Sequence, residues 1–284
     1  MDINFDNIKF SSLMIYTIID NFISKQKCEK LINFTNNLLN NNEAISYHGN
    51  RSEIFSSYSI FKNLKTNQSE LKNFNDYLCS KEFFDFSCEK LSIDASDFEL
   101  TKYYNYQKFD ILNEYRKNVS LIPDNQLLKI FIARKIRQLK VKTKYNNFFS
   151  KKKKLELLYG LSKAGNNYKQ AIHRDSDSRL VVFLIYLNDA NENAVGGNLD
   201  LYKKIGKINN IESPDINSLE KITSIKPKEG RLIIFKNEDD AYHGVEMMKN
   251  FNDYRYFIYG SFTLLNDKNP YISDHRIPTE FFLY

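Results

Sequence analysis

The feature that most constrains this chain is Leu180-Val-Val-Phe-Leu-Ile-Tyr-Leu187, eight apolar residues rich in β-branched and aromatic side chains. Its length and composition suit a core strand, and it is far short of the ~20 residues needed to span a bilayer. Similar segments follow. Gly196-Gly197 leads into Asn198-Leu-Asp-Leu-Tyr202, which alternates as a half-buried strand does. Pro227 and Gly230 flank a turn before Arg231-Leu-Ile-Ile-Phe235, and Tyr254 to Thr263 forms a last long strand. Strands joined by turns, without the crossover helices of βαβ units, predict an all-β sandwich or jelly roll.

The first half reads mainly helical. Ile15 to Ile19 suits a short strand, and Ser24 suits the N-cap of a helix carrying Cys28, Leu31, Ile32, Leu38 and Leu39. Such helices are expected to pack on the outside of the β-core. Residues 41–125 hold aromatic-rich segments of no assigned type. Pro and Gly are too sparse for a flexible interdomain linker, and no repeat is visible.

At 284 residues, 42% of them hydrophobic, the chain can bury a sizeable core, and a disordered chain is excluded. The opening Met1-Asp-Ile-Asn-Phe-Asp6 lacks the basic-then-apolar layout of a secretory signal. Cys28, Cys79 and Cys88 form no CxxC pair. Reduced thiols and a cytoplasmic location are the expectation. The net charge of +6 is unevenly placed. Residues 129–154 carry eleven basic side chains and no acidic one, leaving the rest mildly acidic. That block suits a nucleic acid, an anionic lipid surface or an acidic protein. It equally suits a solvated helix face, because Ile132, Ile136 and Leu139 share a helical stripe.

The chemistry concentrates on two of the four histidines. His173 and Asp175 form an H-x-D pair just before the strand that starts near Arg179. On an extended backbone, residues i and i+2 project to one side, so both can meet one ion. His243 follows a core strand and the polar turn Lys236 to Asp240. Two imidazoles and a carboxylate on one face make the facial triad of non-haem Fe(II) sites, with open positions for other ligands. Arg255, on the next strand, suits a bidentate pair with a carboxylate. His48 and His275 read as surface histidines.

Here the chain resembles the Fe(II)/2-oxoglutarate-dependent dioxygenases, prolyl 4-hydroxylase-like branch. The resemblance rests on an ordered set of motifs: Tyr159-Gly160, Tyr168-Lys169, His173-Arg-Asp175, Arg179 with Phe183-Leu-Ile-Tyr-Leu-Asn188, and Gly196-Gly197. Pro227-Lys-Glu-Gly-Arg231, His243-Gly-Val-Glu246 and Tyr254-Arg-Tyr256 complete it. Ile19 to Ser24, with the helix after it, is similar to the opening of that domain.

The resemblance implies a mainly β fold with flanking helices around a double-stranded β-helix, forming one oxygenase domain over residues 1–284. Within it, 1–156 would be helical N-terminal elements and a divergent middle segment, 157–265 the catalytic core and 266–284 a tail. It implies His173, Asp175 and His243 as Fe(II) ligands, and Arg255 as the residue for the C5 carboxylate of 2-oxoglutarate. A tyrosine, Tyr168 or Tyr159, would assist. O2 is the co-reactant, and ascorbate is the expected reductant.

The resemblance further implies hydroxylation of an unactivated C–H bond of a peptidyl proline, a free amino acid or another small molecule, with succinate and CO2 as coproducts. A carboxylate at Asp175 favours hydroxylation, because related halogenases carry a small residue there. Two alternatives stand beside it. One is a non-catalytic jelly-roll module binding through residues 129–154. The other is a nucleic-acid demethylase of the AlkB type, disfavoured because Ser261 stands where that group has a second arginine.

Overall fold

The structure is a computed structural model that describes residues 8–10, 14–40, 45–47, 50–55, 69–100, 152–208 and 214–264. Its centre is two facing antiparallel sheets. Five strands of the larger sheet come from the N-terminal half: β1 (Ile8–Phe10), β2 (Ile15–Ile19), β3 (Ile45–Tyr47), β4 (Arg51–Phe55) and β5 (Phe98–Leu100). The second half supplies β6 (Lys153–Ala164), β8 (Arg179–Tyr186), β11 (Leu232–Lys236) and β13 (Arg255–Leu264). Their order is β1-β2-β11-β8-β13-β6-β4-β3, with β5 lying parallel to the start of β6. The smaller sheet has the order β10-β9-β12-β7, from β7 (Gln170–Arg174), β9 (Leu199–Lys204), β10 (Leu219–Ile225) and β12 (Tyr242–Val245). This is a double-stranded β-helix, as the strand reading predicts.

The helix expected after Ser24 is α1 (Lys25–Asn40), and the Ser24 hydroxyl accepts from the Lys27 amide at 3.4 Å. Two more helices, α2 (Ser69–Leu78) and α3 (Lys81–Lys90), follow. Ser80 caps α3 by accepting from the Phe83 amide. Among the described residues of the N-terminal half, short strands accompany these helices. Its strands extend both edges of the larger sheet, β2 pairing with β11 and β4 with β6.

Strand alternation sorts the side chains into two cores. Val181, Phe183 and Ile185 of β8, with Tyr256, Ile258 and Phe262 of β13, face α1 and α3. Val182, Leu184 and Tyr186, with Phe257, point into the gap between the sheets, where they meet Leu199, Leu201 and Ile225. All three cysteines are free thiols, and burial pushes Cys28 and Cys88 up to about 12. No helix among the described residues is long and apolar enough to cross a membrane. His48, His275 and all of the basic block before Lys152 lie outside the described residues. Lys153 and Lys154 open β6, with Lys154 ion-paired to Glu99.

Candidate active site

Antiparallel pairing builds the site. His243 of β12 lies directly opposite His173 of β7, so two residues far apart in sequence project from adjacent strands onto one face. Their rings are 4.4 Å apart, centroid to centroid, and Phe235 backs His243 at 5.0 Å. Strand β7 ends at Arg174, which places Asp175 at the head of a turn closed by the Arg179 amide on the Ser176 carbonyl. Asn237 pins that turn by donating to the carbonyls of Ser176 and Arg179.

The Asp175 carboxylate then faces both imidazoles. Its Oδ1 is 3.8 Å from His173 Nε2, and its Oδ2 is 3.7 Å from His243 Nε2. The donor atoms of the three residues lie within 4.8 Å of one another, a set that can hold one metal ion. The ring nitrogens are sorted for this. His173 Nδ1 lies 2.9 Å from the Ala171 carbonyl and His243 Nδ1 lies 3.4 Å from the Ala241 carbonyl. A carbonyl only accepts, so each Nδ1 carries the proton and each Nε2 turns a lone pair to the shared point.

Electrostatics keeps the donors in metal-ready form. Burial raises the Asp175 carboxyl, but the Arg179 guanidinium, the two imidazoles and the Tyr259 hydroxyl outweigh it. The net effect holds Asp175 well below the usual carboxylate range. Arg179 Nη1 donates to Oδ1 at 2.6 Å, and the Tyr259 hydroxyl donates to Oδ2 at 2.9 Å. Burial, then the neighbouring His173, pushes the His243 imidazole down to about 4, so it stays neutral at pH 7.

Arg255 points into the same gap from β13 and is 2% exposed. One nitrogen, Nη1, donates to the Gly197 carbonyl, while Nε and Nη2 are buried without a hydrogen-bond partner among the described residues. Gly196 and Gly197 both have positive φ, and a Cβ on Gly197 would meet the Phe251 ring at 2.8 Å, which explains the glycine pair. The guanidinium is walled by the rings of Phe257 at 4.6 Å, Tyr168 at 5.5 Å and Tyr186 at 5.8 Å. The Tyr186 hydroxyl is likewise buried and unpartnered. Two guanidinium nitrogens and a hydroxyl without partners among the described residues would each be costly in an apolar pocket unless an anion completes them. They fit the distal carboxylate of 2-oxoglutarate, and the two-histidine, one-carboxylate set fits Fe(II).

Of the residues read from sequence, the structure brings His173, Asp175, His243, Arg255 and Tyr168 to the gap. It puts Tyr159 elsewhere. Tyr159 shares strand parity with Leu157 and Leu161, faces the helix side, and its hydroxyl donates to Asn75 of α2 at 2.8 Å. Ser261 is buried beside Thr263, 3.0 Å between hydroxyl oxygens. Tyr186 and Tyr259 escaped the sequence reading. Tyr259 had a signal in its spacing, four residues beyond Arg255 on one strand face.

Residues 159–262 match the sequence model of the 2OG-Fe(II) oxygenase superfamily. That segment is similar to the 2OG-Fe(II) oxygenases. The match opens at Tyr159 on β6 and closes at Phe262 on β13, so it contains His173, Asp175, His243 and Arg255. Among solved structures, the chain is similar to a prolyl 4-hydroxylase from Phytophthora capsici at 14% identity and a TM-score of 0.48. The similarity covers 91% of this chain and 61% of that one, so the chain spans about three fifths of that protein's length. A Pseudomonas putida prolyl-4-hydroxylase is similar at 12% identity and a TM-score of 0.43, covering 87% of this chain and 91% of that one. A Trichoplax adhaerens prolyl hydroxylase, solved with a hypoxia inducible factor peptide fragment, is similar at 13% identity and a TM-score of 0.44, covering 89% and 85%. No curated protein matches the chain.

Proposed function

We propose that His173, Asp175 and His243 are the iron ligands, and that Arg255 with Tyr168 holds the C5 carboxylate of 2-oxoglutarate. The enzyme hydroxylates an unactivated C–H bond of a peptidyl proline, a free amino acid or another small molecule, with succinate and CO2 released. The observation that carries this reading is the coincidence of two halves in one gap. Three donors converge on a point, and a buried guanidinium with two nitrogens unpartnered among the described residues faces the same space.

When bound, iron with the 2-oxo acid supplies O2 activation coupled to decarboxylation. The protein's own residues do the rest. Arg179 and Tyr259 fix the orientation of Asp175, and the backbone carbonyls of Ala171 and Ala241 fix the imidazoles. Val182, Leu184, Leu199, Leu201 and Phe235 keep water from the interior of the gap. The His173 side chain is 23% exposed against 5% for His243, so the substrate approaches from the His173 side. The prolyl and amino-acid substrates rest on the ordered resemblance of Tyr159–Asn188, Gly196-Gly197 and His243–Arg255 to the prolyl 4-hydroxylase-like branch.

An anaerobic titration of the apo-protein with Fe(II), then 2-oxoglutarate, tests the ligand roles. The visible metal-to-ligand charge-transfer band is expected in wild type and absent in His173→Ala. Arg255→Ala should weaken 2-oxoglutarate binding by ~10- to 100-fold, the value of a hydrogen bond to a charged group. Succinate release with prolyl peptides and free amino acids then identifies the substrate class. A wild-type protein that binds metal but gives no band with 2-oxoglutarate would sink the assignment of Arg255.

A further inference from the structure

The cosubstrate arginine has a counterpart on the other side of β6. Arg51 of β4 pairs with Ala164 of β6, and Ala164 pairs in turn with Arg255 of β13. The two arginines therefore stand in one cross-strand row, on one face, with only an alanine between them. Their guanidinium carbons flank the same rings. Arg51 is 4.9 Å from the Phe257 centroid and 5.8 Å from that of Tyr168, against 4.6 and 5.5 Å for Arg255.

Arg51 is itself held. Its Nη2 lies 3.0 Å from Glu53 Oε1 and donates to the Ser162 hydroxyl at 3.0 Å, and Glu53 is fully buried. The acid and base balance in charge, so the pair leaves Arg255 as the cation available to an anion in the gap. A further contact is the informative one: Arg51 Nη1 donates to the Tyr168 hydroxyl oxygen at 3.2 Å. A guanidinium has only donors, so this bond occupies a lone pair and leaves the phenolic proton to be given elsewhere. Backbone bonds fix the rest of Tyr168. Its carbonyl accepts from Met248 and its amide donates to Gly165.

We infer that Arg51 is a positioning residue of the cosubstrate pocket, turning the Tyr168 hydroxyl so that its proton points to the distal carboxylate beside Arg255. The inference rests on the proposed role of Arg255 and deepens it. Glu53, Arg51 and Tyr168 form a chain in which each group fixes the donor direction of the next. It is supplied by β4, outside residues 159–262, so the N-terminal half completes a pocket that the family segment begins.

The test is 2-oxoglutarate binding to the anaerobic Fe(II) protein, read from the charge-transfer band. Oxalate, which chelates the metal but has no distal carboxylate, serves as the comparison ligand by displacement. Arg51→Gln combined with Glu53→Gln removes the chain without stranding a buried carboxylate. It is expected to raise the Kd for 2-oxoglutarate about tenfold, with oxalate binding as in wild type. Adding Tyr168→Phe to that variant should cost little more, because both changes remove one contact. The inference is overturned if 2-oxoglutarate binds the double variant as tightly as wild type. It is also overturned if oxalate binding falls equally, or if the Tyr168→Phe loss multiplies with the first. Failure of the underlying reading looks different: Arg255→Ala would then bind 2-oxoglutarate as wild type does.

Discussion

The two faces of the larger sheet use the same strands for opposite purposes. On β13, Tyr256, Ile258 and Phe262 enter an apolar core against the helices, while Arg255, Tyr259, Ser261 and Thr263 enter the gap. On β8, Phe183 and Ile185 belong to the first face and Tyr186 to the second. The helix face is a packing problem. Phe83 of α3 is fully buried and meets Phe183 edge-on at 5.3 Å and Phe262 at 5.8 Å. The gap face is an orientation problem, solved with hydrogen bonds to Asp175, His173 and Tyr168. Strand parity thus lets stability and chemistry be altered separately, one residue apart.

Substitutions on each face measure how complete that separation is. The largest effect is expected from His243→Ala, which should abolish succinate release and iron binding while the thermal midpoint stays near that of wild type. Melting curves and iron titration on the same sample check it, and a collapsed midpoint would show that the gap face also carries the fold. Asp175→Ala is a poorer probe, because it strands the Arg179 guanidinium that the carboxylate now pairs.

Phe83→Ala, on the opposite face, should cost roughly 3–5 kcal/mol in urea unfolding. Whatever remains folded should bind 2-oxoglutarate with wild-type affinity. A matching loss of cosubstrate affinity would mean that the two faces are coupled through β8 and β13.

The smallest effect concerns neither face. Hydrogen bonds from Arg231, then from Lys228, outweigh partial burial and hold Asp20 down to about 2. The folded pKa is lower than that of the unfolded chain, so the contribution is complete above about pH 4. It is lost as pH falls towards 2. Asp20 is more than a third exposed, which limits the term to ~1 kcal/mol or less. Asp20→Asn should therefore lower stability slightly at pH 6 and narrow its gap to wild type near pH 2, with cosubstrate binding unchanged.

The metal donors and Arg255 were legible because each sits in a short local pattern: H-x-D before a strand, His243 after one, Arg255 on the last. The paired glycines were legible for the same reason. What escaped depends on pairing across long separations. Arg51 reaches Ser162 and Tyr168 only because β4 adds to β6, and nothing near residue 51 announces that neighbour. Tyr186 was hidden inside Leu180–Leu187, a run apolar on both faces, so alternation carried no signal there. Nearness to the H-x-D pair favoured Tyr168 over Tyr159, and the parity of β6 sends Tyr159 to the helix face. Of the N-terminal strands only Ile15–Ile19 was legible; β1, β3, β4 and β5, of three to five residues, are too short for a periodic pattern.

The opposition of His173 and His243 also bears on how the chain reaches its final form. The two residues are about 70 positions apart, so the ribosome has released His173 well before its partner exists. Contacts of such span are slow to close. A one-residue slip of β12 along β7 would turn an imidazole out of the gap. An ion that needs both rings rewards only the correct register, so iron supplied during synthesis would act as a proofreader of that last pairing.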